Sequence, residues 1–463
     1  MSRRYARRGA LASLASTVLV IAGSAARLAA QDAYPRAVVL VTIDTLRADA
    51  VSLEDPRGSH TPFLAQLARQ GVTFTHAYAP SSWTPPTMAS IFTSLSPVSH
   101  GVRYGILGLN TVTMQPMLSP KLTTLAETIH GLGWKTIGVP SNLHLGARLG
   151  FNQGFDKYDA GDAFLNADQV NARAQALFSD VYSDPATVDG LFLWLHYFDP
   201  HDPYTAHRPF ITRLDPSFTD NPSYYSHAVR NELTKRIPRF TPDVTSCLWP
   251  LYLSEAAFVD QRLRNLLRQL DLVDENVMIV VTADHGEELG DHGSIGHGFT
   301  LYEEVVRVPL IVRWPAGLPH GIRVDTPVST LDIFPTIVDL MGIEPPAGVE
   351  GRSLAPSMKD RTEPEPRPVF FSLFSPQPEI YGVRDGGFKL IADRNRGKPS
   401  MLFDLSKDPY ELHDVAADNR RVVERLEDLI DAWDAKLPRL EAPRATVDEE
   451  LEEKMKSLGY LGH

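Results

Sequence analysis

Six side chains that can bind a metal ion or act as a nucleophile lie directly after predicted strands or in the loops nearby. They are two carboxylates, three histidines and one hydroxyl: Asp44, Thr84, His201, Asp284, His285 and His297. Asp and His are the usual protein ligands of a divalent metal where one coordination position stays open for substrate. Each residue alone has a simpler explanation, as a helix cap or a loop histidine, so the prediction of a metal-dependent catalytic site depends on their joint placement.

Thr84 has the most specific local context, in the segment SSWTPPTMAS. Pro85 and Pro86 suit the first turn of a helix, because no amide donor is lost there, and this would put Thr84 at the N-cap. The amide dipoles of a helix start favour an anion, including a tetrahedral oxyanion, beside that hydroxyl. A metal ion on the same oxygen would lower its pKa and make Thr84 a nucleophile.

Short apolar runs rich in β-branched residues predict the strands that position these side chains. The runs are Ala37–Ile43 and residues 136–139, 191–195, 277–282 and 309–312. Amphipathic helical patterns alternate with them at residues 62–70, 122–132, 167–178, 251–270 and 331–341. The alternation predicts an α/β fold, with a mostly parallel central sheet covered by helices on both faces. Ligands of such sheets bind beyond the carboxyl ends of the strands, where the six side chains are expected.

The sequence changes character after the predicted catalytic domain, which spans residues 35–358. Residues 360–367 are rich in Pro and Glu and indicate a linker. Predicted antiparallel strands at residues 369–373, 381–383 and 388–392 precede a charged helix at residues 420–437. We expect these elements to form a small C-terminal α+β subdomain over residues 368–440, followed by a charged tail over residues 441–463.

The composition limits the partners that the chain can bind. The 463 residues carry a net charge of -12 at pH 7. Nucleic acid is not an expected partner, because its binding needs a basic surface. A small anionic ester is compatible with an acidic chain if bound metal ions supply the local positive charge. The sequence gives no indication of an oligomeric state.

The N-terminus has the features of an export signal, a predicted signal peptide over residues 1–30. A basic stretch precedes an apolar run over residues 10–26, and its arginines are Arg3, Arg4, Arg7 and Arg8. The pattern does not distinguish general secretion from the twin-arginine route. An uncleaved membrane anchor is the alternative, although the run is short for a span. We expect a periplasmic or secreted mature chain without a membrane span, and with Cys247 as the only cysteine it forms no internal disulfide.

A series of motifs in fixed order resembles the sulfatase-like hydrolases of the alkaline-phosphatase superfamily. The motifs include VTIDTLRADAV, HTPFLAQLARQGVTFTHAYAPSSWTPPTMAS, LHYFDPHDPY, ADHGEELGDHGSIGHG, LYEEVVRVPLIVRWP and LFDLSKDPYELHDVA. The similarity covers nearly all of the predicted mature chain. It implies the alkaline-phosphatase-like fold and metal-dependent ester hydrolysis, but it does not identify the substrate.

The match departs from the usual sulfatase pattern at the nucleophile. Sulfatases carry Cys or Ser in a C/S-x-P-S-R motif and oxidise it to formylglycine, whereas this chain has Thr84-Pro85-Pro86-Thr87-Met88. Threonine is not a known precursor of that aldehyde, so no formylglycine is expected, and Met88 replaces the arginine. Thr84 instead resembles the nucleophile of phosphodiesterases and phosphoethanolamine transferases of the same superfamily.

The metal ligands implied by the resemblance also differ from the usual set. The Asp-Asp pair of many sulfatases is Asp44-Thr45 here, and their Asp-Asn pair is Asp284-His285. The resemblance therefore implies a divalent metal held by Asp44, Thr84, Asp284 and His285. Calcium favours six to eight oxygen ligands, so the replacement of oxygens by imidazole favours zinc or manganese over calcium.

Other matched positions concern groups that would contact the ester. His201 and His297 match the extra histidines of the transferases, and we expect them to bind the transferring oxyanion, hold a second metal or protonate the leaving group. The lysine of the sulfatase GKWHLG motif is Asn142 here, although His144 is retained. The transferases carry several transmembrane helices that this chain lacks.

Three functions stay open from the sequence. The favoured one is hydrolysis of phosphate or phosphonate esters through a covalent Thr84 intermediate. A phosphate monoester dianion gains more from two metals than a sulfate monoanion does, and the site has lost one carboxylate and gained histidine relative to the usual sulfatase pattern. The second is hydrolysis of sulfuric esters by unmodified Thr84. The third is a non-catalytic binding protein on a sulfatase scaffold, which absence of bound metal would favour.

Overall fold

A nine-stranded sheet forms the centre of the chain in its computed structural model. The structure describes residues 34–51, 60–104, 114–161, 164–184, 188, 190–216, 218, 242–374, 379–394 and 397–446. The predicted signal peptide and the last part of the predicted tail lie outside these ranges. Among the described residues, no helix is long and apolar enough to cross a membrane.

The strands and helices follow the chain in the order below. The strands are β1 (Ala37–Ile43), β2 (Val72–Tyr78), β3 (Met114–Pro116), β4 (Lys135–Pro140), β5 (Lys157–Tyr158), β6 (Leu191–Tyr197), β7 (Val277–Ala283), β8 (Glu288–Leu289), β9 (Ile295–Gly296), β10 (Arg307–Arg313), β11 (Ile322–Val324), β12 (Val328–Ser329), β13 (Val369–Phe374), β14 (Glu379–Asp385), β15 (Phe388–Asp393), β16 (Met401–Asp404) and β17 (Arg444–Thr446). The helices are α1 (Pro62–Arg69), α2 (Thr84–Thr93), α3 (Pro97–His100), α4 (Leu125–His130), α5 (Ala167–Val181), α6 (Phe210–Leu214), α7 (Pro242–Gln269), α8 (Glu303–Val306), α9 (Ile333–Leu340), α10 (Ala355–Asp360) and α11 (Arg420–Asp434).

The central sheet is mostly parallel, as predicted. Its strand order is β11-β2-β10-β7-β1-β6-β4-β5, and β12 also pairs with β2. Only β10 runs antiparallel to its neighbours β2 and β7. Every residue of β1, β6 and β7 is buried, so both faces of the sheet are covered in its middle. This burial explains why these strands have continuous apolar runs instead of an alternating pattern.

Strand β2 and helix α7 are among the elements that differ from the sequence prediction, and the reason is clear for both. Strand β2 was not predicted, because Thr73, Thr75 and His76 interrupt its apolar residues, and part of it is only half-buried. Helix α7 begins well before the predicted residue 251 and contains Pro250. A proline normally marks a helix boundary, so the sequence pattern placed the start just after it.

A second sheet, of order β13-β14-β15-β16, forms the predicted C-terminal unit together with α11. All of its pairings are antiparallel. Its inner face packs on the catalytic domain through an apolar cluster that includes Tyr78, Leu301, Val306 and Phe371. The described part of the predicted tail contacts the catalytic domain, because β17 pairs with β3 and the Met117 amide donates to the Pro443 carbonyl (2.9 Å).

Buried charges join the two units at the same interface. Lys389, on β15, is fully buried and forms ion pairs with Glu303 (3.1 Å) and Glu411 (3.0 Å). The Tyr78 hydroxyl donates to the other Glu303 oxygen (2.9 Å). Arg384 also lies 3.9 Å from Glu303, so two cations face the two carboxylates at this contact.

His292 adds a pH-dependent link between the units. Burial alone would lower its pKa, but the hydrogen bond from Nδ1 to Glu304 (2.6 Å) and the charge of that carboxylate outweigh burial and raise the pKa to about 9. Its Nε2 lies 3.2 Å from the Glu411 carbonyl, and its ring stacks on Tyr302.

We predict that His292→Phe, which keeps a ring against Tyr302, lowers the free energy of unfolding by about 1–2 kcal/mol at pH 6 after allowance for solvent screening. The folded-state pKa is raised, so this stabilisation is complete below about pH 6.5 and is lost as the pH rises through about 9. Denaturant unfolding of both proteins at pH 6 and pH 10 tests this, and a difference independent of pH would contradict it.

Candidate active site

The register of three parallel strands brings the two predicted carboxylates together. Ile43 at the end of β1 pairs with Ala283 at the end of β7 and with Tyr197 at the end of β6. The next residues along the chain, Asp44 and Asp284, therefore leave the sheet side by side at its carboxyl edge. Both side chains are fully buried.

Thr84 lies against these carboxylates at the start of α2. Its Oγ1 is 3.2 Å from His285 Nε2 and 3.5 Å from Asp44 Oδ1. The predicted N-cap position is wrong: Trp83 is the N-cap, and Thr84 is the first helical residue. A side chain at this position is free to face the carboxylates, since it does not fold back to cap its own helix.

The two prolines after Thr84 also change the expected electrostatics. Pro85 and Pro86 carry no N–H, and the Thr87 amide donates to the Trp83 carbonyl (3.2 Å). Pro85, Pro86 and Thr87 therefore offer no amide donor to an anion, although the positive end of the helix dipole still lies at Thr84. Positive charge for an ester must then come mainly from other groups.

The two carboxylates have opposite electrostatic environments. Burial opposes ionisation of Asp44, but the hydrogen bond from His196 and the charges of nearby histidines hold its pKa well below the usual range. Burial, and then the charge of Asp44, raises the pKa of Asp284. Asn142 Nδ2 donates to Asp44 Oδ2 (2.8 Å), so the residue at the sulfatase lysine position contacts a predicted metal ligand.

Asp284 keeps one oxygen available. Its Oδ1 accepts from the amides of Thr45 (3.2 Å) and His285 (2.9 Å), whereas its buried Oδ2 has no hydrogen-bond partner among the described residues. Thr45 reaches this position with a left-handed backbone (φ 56°), which is uncommon for a β-branched residue. Gly286 directly follows His285 in the chain, and a Cβ at Gly286 would lie 2.0 Å from the Glu304 carbonyl oxygen. Only glycine fits this turn.

His196 is the main site residue that sequence reasoning missed. It lies on β6 beside Thr42 of β1, and its Nε2 is 3.4 Å from Asp44 Oδ2. Asp44, His196 and Asp284 each offer a ligand atom, and these atoms lie within 4.8 Å of one another. The signal was present in LHYFDPHDPY, as a polar residue at the end of an otherwise apolar strand, but the prediction concentrated on His201.

The two remaining histidines extend the site away from Asp44. The His297 ring lies 4.4 Å from that of His285 and 4.9 Å from that of His201, measured between ring centroids. His297 Nδ1 donates to Glu287 Oε1 (2.8 Å), a buried carboxylate that was also not predicted. Burial, and then the charge of His285, lowers the pKa of His297 to about 3. His297 is therefore neutral near pH 7.

His201 and His144 are buried in the same region. His201 Nδ1 donates to the Asp202 carbonyl, and burial lowers the pKa of the ring. His144 interacts electrostatically with Asp44, His201 and His297, and burial lowers its pKa to about 4. Met88, at the position of the sulfatase arginine, is fully buried in the hydrophobic core and brings no charge.

The donor set fits a divalent cation. Asp284 Oδ2 and the hydroxyl of Thr45 are buried without a hydrogen-bond partner among the described residues, which is expected of atoms that bind a cation. His285 Nδ1 lies 2.9 Å from the Gly286 carbonyl oxygen, which fixes the ring and directs Nε2 toward Thr84 and both carboxylates, where the neutral ring would offer a lone pair to a cation. Carboxylates and imidazoles in this ratio suit a transition metal.

The comparison with family models decides the family. The sulfatase model matches residues 36–343, which contain the whole of this site. The chain belongs to the sulfatase family. A second model, N-sulphoglucosamine sulphohydrolase C-terminal, matches residues 290–436. This sulfatase-family chain is therefore an ester hydrolase by family, and the family match extends into the C-terminal sheet.

Relatives of this sulfatase-family hydrolase include one protein named as a sulfatase and one named as a member of the alkaline phosphatase superfamily. It is 24% identical to the uncharacterized sulfatase YidJ of Escherichia coli, over 82% of this chain and 83% of that protein. It is 25% identical to the multifunctional alkaline phosphatase superfamily protein PehA of Trinickia caryophylli, over 82% of this chain and 91% of that protein.

Solved structures share the fold. BT4656 in complex with its substrate D-glucosamine-2-N,6-O-disulfate has a TM-score of 0.71 at 18% identity, over 87% of this chain and 98% of that one. The phosphonate monoester hydrolase of Agrobacterium radiobacter has a TM-score of 0.67 at 23% identity, over 86% and 95%. These structural similarities support the alkaline-phosphatase-like fold. They do not identify the ester that is hydrolysed, which must be inferred from the residues of the site.

Proposed function

We propose that this protein hydrolyses phosphate or phosphonate esters through a covalent intermediate on Thr84. The observation that carries the proposal is the position of the unmodified Thr84 hydroxyl, 3.2 Å from His285 Nε2 and 3.5 Å from Asp44 Oδ1. A hydroxyl becomes a competent nucleophile when an adjacent group accepts its proton or lowers its pKa. Asp44 is the proton acceptor beside Oγ1, and a cation bound by the neighbouring side chains would lower the pKa of the hydroxyl.

The metal ligands proposed are Asp44, Asp284, His285 and Thr84, with His196 added by the structure. A divalent cation bound by these side chains would lower the pKa of the Thr84 hydroxyl and balance the charge of the ester oxygens. Two imidazoles, of His196 and His285, lie 3.4 Å and 3.7 Å from the Asp44 oxygens, which suits zinc or manganese better than calcium.

The reaction takes two displacements at phosphorus. Thr84 Oγ1 forms a bond to phosphorus as the bond to the alcohol oxygen breaks, and the alcohol leaves with a proton. Water then attacks the same phosphorus, the Thr84–phosphorus ester bond breaks, and phosphate or phosphonate is released with the hydroxyl restored. Asp44, whose Oδ1 lies 3.5 Å from Oγ1, accepts the Thr84 proton in the first displacement, and this proton leaves with the alcohol. In the second displacement a proton of the attacking water returns through Asp44 to Oγ1.

His201 and His297 fit a ligand or proton-accepting role better than the role of a leaving-group acid. Each ring donates Nδ1–H to an oxygen acceptor, Asp202 or Glu287, so each keeps a lone pair on Nε2. The pKa of each is lowered by burial, which keeps the rings neutral. A neutral ring of this tautomer binds a cation or accepts a proton. We propose that the two rings hold a second cation against the ester.

The preference for phosphorus follows from the charge at the site. Met88 and Asn142 replace the arginine and lysine of the usual sulfatase pattern, and Met88 lies in the apolar core. The charge on the ester must then be balanced chiefly by bound divalent cations. This arrangement favours an ester of higher charge, because the attraction between a cation and an anion grows with the product of their charges.

We predict that the metal-loaded protein hydrolyses 4-nitrophenyl phosphate or 4-nitrophenyl phenylphosphonate with a kcat/KM at least about 100-fold above that for 4-nitrophenyl sulfate, a difference of about 3 kcal/mol in transition-state binding. The three esters share one leaving group, so their rates compare the transferred groups directly. Thr84→Ala is the control for contaminating phosphatase.

Sulfate-ester hydrolysis by unmodified Thr84 is the second candidate, and the fold likeness to BT4656 with its sulfated sugar substrate favours it. A kcat/KM for the sulfate ester equal to or above those for the phosphorus esters would support this candidate and reject the proposal. Lack of turnover for all three esters, together with lack of bound metal, would favour a non-catalytic binding protein.

A further inference from the structure

A second group of metal-binding side chains lies on the loop after β6 and on helix α7. Asp199, His207 and Glu255 each offer one ligand atom, and the three atoms lie within 4.8 Å of one another. We name these residues the loop–helix cluster. It shares no residue with the group around Asp44, and no step proposed for ester hydrolysis uses it.

The two carboxylates of the cluster are buried, His207 is half-buried, and the polar atoms are incompletely paired. Asp199 and Glu255 are 8% and 1% exposed. Among the described residues, Glu255 Oε2 and His207 Nε2 are buried atoms without a hydrogen-bond partner. Such atoms are rare in folded proteins, and each indicates a bound water, an ion or a proton that completes the site.

The remaining atoms of the cluster have fixed orientations. Glu255 Oε1 accepts from the Thr205 amide, and Asp199 Oδ2 accepts from the Ala167 amide (2.7 Å). The His207 ring stacks on Phe258 with 3.8 Å between ring centroids and an angle of 4° between planes. The three ligand groups are therefore held in place by separate contacts, which is what a preorganised metal site needs.

We propose that the loop–helix cluster binds a divalent transition metal of the zinc or manganese class. Two carboxylates and a neutral imidazole carry two negative charges, which one divalent cation neutralises. One nitrogen and two oxygen donors, with a position left for water, are a ligand set that zinc accepts. Without a cation, two buried carboxylates would lie close together, and burial with the charge of Asp199 raises the pKa of Glu255 well above the usual range.

The role of this metal would be positional. His201 lies in the chain between Asp199 and His207, and Glu255 is on α7. A metal shared by the three ligands would fasten the loop that carries His201 to that helix at two points. The cluster then controls where the His201 ring lies without contacting the ester itself.

The test is the metal content of the full-length protein, purified without a His-tag and dialysed against a buffer in which Zn²⁺ is the only added metal. We expect Glu255→Gln to bind one equivalent fewer than wild type, by elemental mass spectrometry. Glu350→Gln is the matched control, because Glu350 also has a buried, unpartnered oxygen but belongs to neither metal-binding group. It should bind as many equivalents as wild type.

The same difference should persist when the catalytic group is disabled. In an Asp44→Asn background, Glu255→Gln should again remove one equivalent, so the result does not depend on the proposed ester hydrolysis.

Cobalt titration provides a measurement that needs no Glu255 variant. Visible absorption bands of Co²⁺ should form in Asp44→Asn and be lost in Asp44→Asn/His207→Ala. Equal metal content in wild type and Glu255→Gln, or cobalt bands unaffected by His207→Ala, would overturn the proposal and mean that the carboxylates share a proton.

Discussion

Thr84→Ala is expected to lower kcat by on the order of 10⁴-fold or more, the scale of loss when a catalytic nucleophile is removed. The reason is that the only bond from the protein to phosphorus in the proposed reaction is made by Thr84 Oγ1. The variant should keep its fold and its metal, since the Asp44, His196 and Asp284 ligand atoms remain. Steady-state kinetics, metal content and melting temperature of the two proteins give the comparison.

Two matched variants make this result specific. Thr84→Ser keeps the hydroxyl and should retain a large part of the activity. Ser82→Ala removes a neighbouring hydroxyl that already donates to the Thr300 carbonyl (2.7 Å), so it should remain within about threefold of wild type. Activity that survives in Thr84→Ala and disappears in Ser82→Ala would transfer the nucleophilic role to Ser82.

Removal of the metal is expected to abolish turnover, and single metals should restore it unequally. We predict that Zn²⁺ or Mn²⁺ restores the chelator-treated protein and that Ca²⁺ leaves it at least about 100-fold less active, because His196 adds an imidazole to a site that already contains His285. Asp284 Oδ2, which has no hydrogen-bond partner in the part of the chain that the structure describes, is the atom that we expect this cation to bind. Activity and bound metal are measured after each addition.

His196→Gln should weaken Zn²⁺ binding by about 10–100-fold if His196 is a ligand or fixes Asp44 as a direct neighbour. His130→Gln is the matched control, since His130 lies on the surface and pairs with Asp156 (3.1 Å). Full recovery with Ca²⁺ alone, and none with Zn²⁺ or Mn²⁺, would show that the ligand argument is wrong and would strengthen the sulfate-ester alternative.

The sequence predicted the parts of the site that follow directly from strand ends. Asp44 and Asp284 come right after continuous apolar runs. When these runs pair as neighbouring parallel strands, the residues that follow them lie side by side. The C-terminal antiparallel sheet was predicted for a similar reason, because its strands are short and separated by turn residues. These predictions needed only local patterns.

Other parts depend on contacts between distant segments and left little local signal. His196 lies within a buried strand, so the local pattern predicts a strand residue and gives no sign of a metal ligand. Glu287 is one of several acidic residues in a loop. The loop–helix cluster joins His207 to Glu255 across 48 positions of the chain. The error at Thr84 was of one residue, which is the usual uncertainty of a helix boundary.

The ion pairs of Lys389 have a consequence for how the molecule comes apart. The proline-rich stretch after α10 looks like a place to divide the chain, yet a fragment ending there would lose the cation that faces Glu303. The ion pairs and the apolar contact at this interface would be lost together, and the net stability of a domain is only about 5–15 kcal/mol. The fragment would also expose Tyr78, Leu301 and Val306. The two units should therefore melt in one cooperative transition, and the catalytic half is not an autonomous module for fusion or expression.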